Sequence, residues 1–113
     1  MKPADKYAVQ EITLYIENDA GLYRQMYQPI VRAYARRVIN KTFRREPAIK
    51  GVVNLIDAGI RKYRKEMGIE SAREYGLGMG VSAATKTAAA KIILRGMMEE
   101  IKDEVKRLRM GRK

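Results

Sequence analysis

The stretch from Phe43 to Gly68 constrains the fold more than any other part of the chain. Ile49, Val52, Val53, Ile56, Ile60, Tyr63 and Met67 recur at helical spacing and so share one face, while Lys50, Asn54, Asp57, Arg61 and Arg64 recur on another. Glu46 and Pro47 suit a first turn. Proline lacks only an N–H that would have no partner there, and glutamate favours the positive end of the helix dipole. Gly68 is a natural stop, with Lys65 in the last turn. Gly51, Ala58 and Gly59 interrupt the pattern. Each glycine costs about 1 kcal/mol of helix propensity, so their best use is to let a neighbouring helix come close. A chain built around this element is expected to lay other helices against it.

Those helices are legible on either side. Ala4 to Asn18 reads as the first, with Ala8, Val9, Ile12, Tyr15 and Ile16 turned inward and Pro3 just ahead of it. Asn18 to Gly21 is a break, with Asp19 as the N-cap of the next helix. Leu22 to about Lys41 reads as that second helix, with Tyr27, Ile30, Val31, Tyr34 and Val38 as its stripe. Pro29 must kink or divide it. Glu70 to Tyr75 forms one more turn. Gly76, Gly78 and Gly80 then make a flexible run, and Ser82 caps a final helix from Ala83 to about Met110. No strand alternation or hairpin signal is present. The expected fold is all-α: a compact three-helix basic domain over residues 1–75, a glycine-rich hinge over 76–82, and a C-terminal amphipathic helix over 83–113.

Leu94, Met97, Met98, Ile101, Val105 and Leu108 give the last helix a long apolar stripe. The expectation is a separable partner or oligomer arm, with a symmetric homodimer as its simplest product. The alternative is that this helix folds back and completes an ordinary four-helix core.

Charge says more about partners than about chemistry. The chain carries 24 Lys+Arg against 13 Asp+Glu, a formal net charge of +11. Eleven bases and only three acids fall within residues 31–68. A cationic surface of this kind attracts nucleic acid, anionic lipid or an acidic protein. With no Cys and no His, Cys nucleophiles, disulfides, His bases and Cys/His zinc sites are excluded. No catalytic residue, metal site or cofactor is expected. The glycine run is not preceded by a strand, and no Gly-Lys-Ser/Thr comes after it, so a hinge is favoured over a nucleotide loop. Glu99, Glu100, Asp103 and Glu104 lie among bases on the last helix and read as ion-pair partners, with Asp103 set toward Lys106 and Arg107. No apolar h-region marks a signal peptide, and no run approaches the ~20 apolar residues that span a membrane.

Two sets of residues carry a resemblance. The first is Tyr15-Ile16-Glu17-Asn18-Asp19, then Leu22-Tyr23-Arg24-Gln25 and Pro29-Ile30-Val31. The second is Ala48-Ile49-Lys50, Leu55-Ile56-Asp57-Ala58-Gly59, Lys62-Tyr63 and Lys65-Glu66. Over roughly residues 7–68 the chain resembles a family of small basic helical proteins of tailed phages that has no assigned activity. The resemblance implies a phage origin, and with it the host cytoplasm or the virion as location. The region after Gly68 departs from that pattern.

The candidate site is the corner between the second and third helices: Arg32, Arg36, Arg37, Lys41, Arg44, Arg45 and Lys50. Arginine grips phosphate through two parallel hydrogen bonds, and several such contacts give salt-sensitive, largely sequence-blind affinity. The bland reading is a solvated, solubilising face. Tyrosines could stack on unpaired bases. Tyr15, Tyr34 and Tyr63 read as core because they lie on apolar stripes, whereas Tyr23 and Tyr27, near the Pro29 break, read as the more open pair. The expectation is a non-enzymatic, phage-type accessory protein that binds DNA or RNA. The alternative is a protein–protein module that binds an acidic host protein or forms part of the virion.

Overall fold

Residues 5–111 are described by a computed structural model of the chain. Pro3, Ala4 and the last two residues of the expected C-terminal segment lie outside that range. The elements are α1 (Lys6–Asn18), α2 (Ala20–Leu22), a π-helical turn (Tyr23–Tyr27), α3 (Gln28–Ile39), α4 (Arg45–Met67), α5 (Ile69–Glu74) and α6 (Ala83–Met110). Among the described residues there is no strand, and the fold is all-α.

Local chemistry sets the boundaries. The Asp5 carboxylate accepts the N–H groups of Tyr7 and Ala8 at 3.0 and 3.2 Å and starts α1. Asp19 accepts Leu22 N–H at 2.8 Å and starts α2, as expected of an N-cap. The kink expected at Pro29 takes the form of the π turn immediately before it. Gln28 N–H bonds back five residues to the Tyr23 carbonyl, and this wider loop accommodates a proline that has no N–H and would crowd an ordinary turn. Gly68 ends α4, and Ser82 accepts Thr85 N–H at 3.1 Å to start α6.

The long last helix is the centre of the structure. It packs against α1, α3 and α4, and buries Thr85, Ala89, Ala90, Ile93, Leu94, Met97, Ile101 and Val105. This corrects the expectation of a free arm. Leu94, Met97, Ile101 and Val105 are covered by the same chain, and Met98 and Leu108 are partly buried against that core. The stripe is therefore not available to a second copy in this fold. The physical reason is supply: α1, α3 and α4 each present an apolar face that no pairing among themselves covers. Burying a side chain of this size contributes roughly 1.5–3 kcal/mol. Ala89 and Ala90, both 0% exposed, let the neighbouring helices approach the first half of α6.

The expected hinge is also corrected. Leu77 is fully buried, its N–H bonds to the Ala72 carbonyl at 2.7 Å, and Arg64 Nε donates to the Leu77 carbonyl at 2.8 Å. The Arg64 guanidinium also donates to the Gly78 carbonyl. Gly76 has φ +75°, and a Cβ there would meet the Asp5 carboxylate at 2.5 Å. These glycines fit a packed return loop that carries the chain back across the bundle.

The apolar faces otherwise follow the periodicity. Val52, Leu55, Ile56, Ile60 and Tyr63 of α4 are buried, as are Ala8, Val9, Ile12 and Ile16 of α1. Thr13 is buried where Tyr15 was expected. Tyr15 sits at the rim, edge-on to Tyr63 with ring centroids 5.1 Å apart. Met67, at the end of the α4 stripe, is exposed. The close approach expected at Gly59 is present, since a Cβ there would meet Ile16 of α1 at 2.9 Å.

Candidate nucleic-acid interface

The corner between α3 and α4 is built by a helix stop. Asn40 N–H bonds to the Arg36 carbonyl, Lys41 takes a left-handed conformation with φ +60°, and the N–H groups of Thr42 and Phe43 both reach the Arg37 carbonyl at 2.8 and 3.2 Å. This reversal lays Phe43 against Tyr34, edge to face with centroids 5.8 Å apart. The buried Tyr34 hydroxyl donates to the Ala48 carbonyl at 2.8 Å, tying α3 to the first turns of α4. The corner is thus held by a buried hydrogen bond and an aromatic pair, and its charged side chains project from a fixed backbone.

All seven expected site residues are exposed: Arg32, Arg36, Arg37, Lys41, Arg44, Arg45 and Lys50. Among the described residues, none of them forms an ion pair within 4.0 Å. The Arg37 guanidinium carbon lies 5.6 Å from the Tyr34 ring centroid, a cation–π placement that orients the side chain without neutralising it. Arg44 donates to the Phe43 carbonyl at 3.4 Å.

The seven are not equivalent. Arg32 and Arg36 lie toward α6 and act on Glu104. The Glu104 carboxyl is held below the usual carboxylate range, first by its hydrogen bond from Arg107 (3.0 Å from Nε), then by the charges of Arg107, Arg32 and Arg36. Part of the field of Arg32 and Arg36 is therefore spent on that carboxylate. Arg37, Lys41, Arg44 and Arg45 gather around the helix stop, exposed and with no ion-pair partner among the described residues. On α6 the acid that pairs with Arg107 is Glu104, in place of the expected Asp103.

The structure adds two cations. Lys91 and Arg95 of α6, both exposed, line a cavity with Arg45, Phe43, Leu94 and Met98. Their four-residue spacing puts them on one helix face, which is a signal the sequence carried. Their proximity to Arg45 depends on α6 folding back, which periodicity does not reveal.

The tyrosines are mostly structural. Tyr34 and Tyr63 are buried, as expected. Tyr27, expected to be open, is only 6% exposed and stacks on Tyr23 with centroids 5.1 Å apart. The Tyr23 hydroxyl donates to Glu100 at 2.7 Å, and that bond, followed by burial, raises its pKa. This pair is engaged within the fold and offers no free ring for a base. Among the described residues no group of three or more acidic side chains could hold a metal ion, and no helix is long and apolar enough to cross a membrane.

No protein-family model, curated protein or solved structure matches this chain.

Proposed function

We propose that this chain is a small, non-enzymatic, phage-type accessory protein that binds nucleic acid through phosphate contacts. The observation that carries the reading is the exposed, unpaired cluster of Arg37, Lys41, Arg44 and Arg45 on a corner fixed by the Tyr34–Ala48 hydrogen bond. Arginines held by a rigid backbone lose less freedom on gripping a phosphate than arginines on a mobile tail. The resemblance over residues 7–68 supports the phage assignment, and with it a place in the host cytoplasm or the virion. The test is binding of a labelled duplex across a salt series. Replacing Arg36, Arg37, Arg44 and Arg45 together by Gln should weaken binding by about 1 kcal/mol or more per lost charged contact and flatten the salt slope by about 0.9 per lost phosphate contact. A folded variant with unchanged affinity and slope would reject the site.

A second reading, a protein–protein module, is favoured by one feature. Val9, Thr13, Leu14, Ala88 and Ile92 line a groove between α1 and α6, with Leu14 48% and Ile92 46% exposed. Paired apolar side chains exposed to that degree are a common element of protein contacts. An acidic partner bound at the corner instead of nucleic acid would show the same salt dependence but survive nuclease treatment.

A further inference from the structure

Arg45, Lys91 and Arg95 rim a cavity of about 390 Å³ whose floor is Phe43, Leu94 and Met98. That volume falls within the range of sites for small organic groups. The rim is cationic and no carboxylate lines it. Among the described residues its three cations have no ion-pair partner within 4.0 Å. Both properties select an anionic occupant.

The floor selects further. A surface that needs only phosphates has no use for apolar side chains between its cations. A duplex keeps its bases stacked inside and would set charged phosphates over Phe43 and Met98. A single strand can turn one base out of its stack onto an apolar floor while the flanking phosphates reach the rim. Lys91 and Arg95 stand about 6 Å apart along the axis of α6, a step comparable with that between neighbouring phosphates of an extended strand. Phe43, the only phenylalanine in the chain, is partly exposed and held in place by its edge-to-face contact with Tyr34.

We propose that this cavity is a base-docking subsite for single-stranded nucleic acid, with one unstacked base on Phe43, Leu94 and Met98 and its flanking phosphates on Arg45, Lys91 and Arg95. The proposal rests on the nucleic-acid reading above and adds to it the strand form and the contact that selects it.

Fluorescence anisotropy with three probes of about 12 nucleotides tests it: a mixed-sequence single strand, the same strand made abasic at its central positions, and the corresponding duplex. The intact single strand should bind about tenfold or more tightly than the abasic strand, which keeps every phosphate. Lys91→Gln with Arg95→Gln should weaken the intact strand about tenfold more than the charge-matched, exposed pair Arg61→Gln with Lys65→Gln. Met98→Gln should bring the intact and abasic strands toward parity in a variant whose circular dichroism is unchanged. Equal binding of the intact and abasic strands, or equal loss in the two charge-matched variants, with the duplex still bound, would overturn this subsite and leave the broader reading standing. Failure of all three probes to bind at about 50 mM salt would overturn both.

Discussion

Tyr34 and Gly51 occupy one space between α3 and α4: a Cβ built on Gly51 would lie 2.1 Å from the Tyr34 hydroxyl oxygen and 3.4 Å from the ring carbon that bears it. The glycine in the second turn of α4 is therefore the complement of one phenolic oxygen. That oxygen reaches past it to the Ala48 carbonyl. The most basic part of the surface is thus anchored from beneath by a contact that no surface residue makes.

The pair predicts a strongly non-additive mutant cycle. Gly51→Ala alone should destabilise the protein by about 1–3 kcal/mol, because Tyr34 is 5% exposed and cannot swing away. Tyr34→Phe alone should cost about 1 kcal/mol for the lost buried hydrogen bond. Together they should cost less than the sum, since the ring without its hydroxyl leaves room for the methyl and alanine is the better helix former by about 1 kcal/mol. Urea denaturation of the four proteins checks this. Additive losses would show that the hydroxyl is not what excludes the side chain.

The second prediction concerns α6. Met97 is 0% and Ile101 1% exposed, so Met97→Ala and Ile101→Ala should each cost about 2–5 kcal/mol, as large-to-small changes in a closed core do. A chain ending at Tyr75 should lose cooperative unfolding, because the apolar faces of α1, α3 and α4 would be left without their common partner. A cooperative thermal transition in that truncated chain would mean that the first three major helices close a core without α6.

The third prediction turns on Lys41. A non-glycine residue in the left-handed region carries a strain of about 1–2 kcal/mol, and glycine gives back about 0.5–1 kcal/mol in unfolded-chain entropy. Lys41→Gly should therefore raise stability by about 0.5–1 kcal/mol while removing one charge from the corner. Lys41→Ala keeps the strain and serves as the control. Equal stabilisation by the two would assign the effect to relief of charge repulsion from Arg37, Arg44 and Arg45.

Much of the helical framework was legible because its signals are local. Asp19, Gly68 and Ser82 each bound an element for the reason their chemistry gives, and the α4 stripe needed only periodicity. What was not legible depends on which surface meets which. The stripe of Leu94, Met97, Ile101 and Val105 reads identically whether its cover is the same chain or a second one. The glycines at 76, 78 and 80 read as freedom because nothing in the sequence shows Arg64 bonding to the Leu77 and Gly78 carbonyls. In the same way, Tyr27 looks open beside Pro29 until the π turn directs it inward. The corner cations were legible as a charge cluster, whereas Lys91 and Arg95 join Arg45 only once α6 has folded back.

The last prediction concerns acid. Asp19 caps α2 through Leu22 N–H and also meets Lys62 Nζ at 2.7 Å, joining the start of the second helical segment to α4. The Lys62 hydrogen bond first, and the Leu22 N–H second, hold the Asp19 carboxyl below its ordinary range. A carboxyl with a lowered folded pKa contributes stability in full above its unfolded value near 4, and that contribution fades as pH falls from there through the lower folded value. Stability measured by urea midpoint should therefore decline below about pH 4, and part of that decline should belong to Asp19. Asp19→Asn keeps a capping oxygen but cannot ionise, so its acid limb should be flatter than that of the parent. Asp19→Ala should lose the cap as well, about 1 kcal/mol at neutral pH. Parallel acid limbs in the parent and Asp19→Asn would show that the Asp19–Lys62 contact makes no pH-dependent contribution to folding.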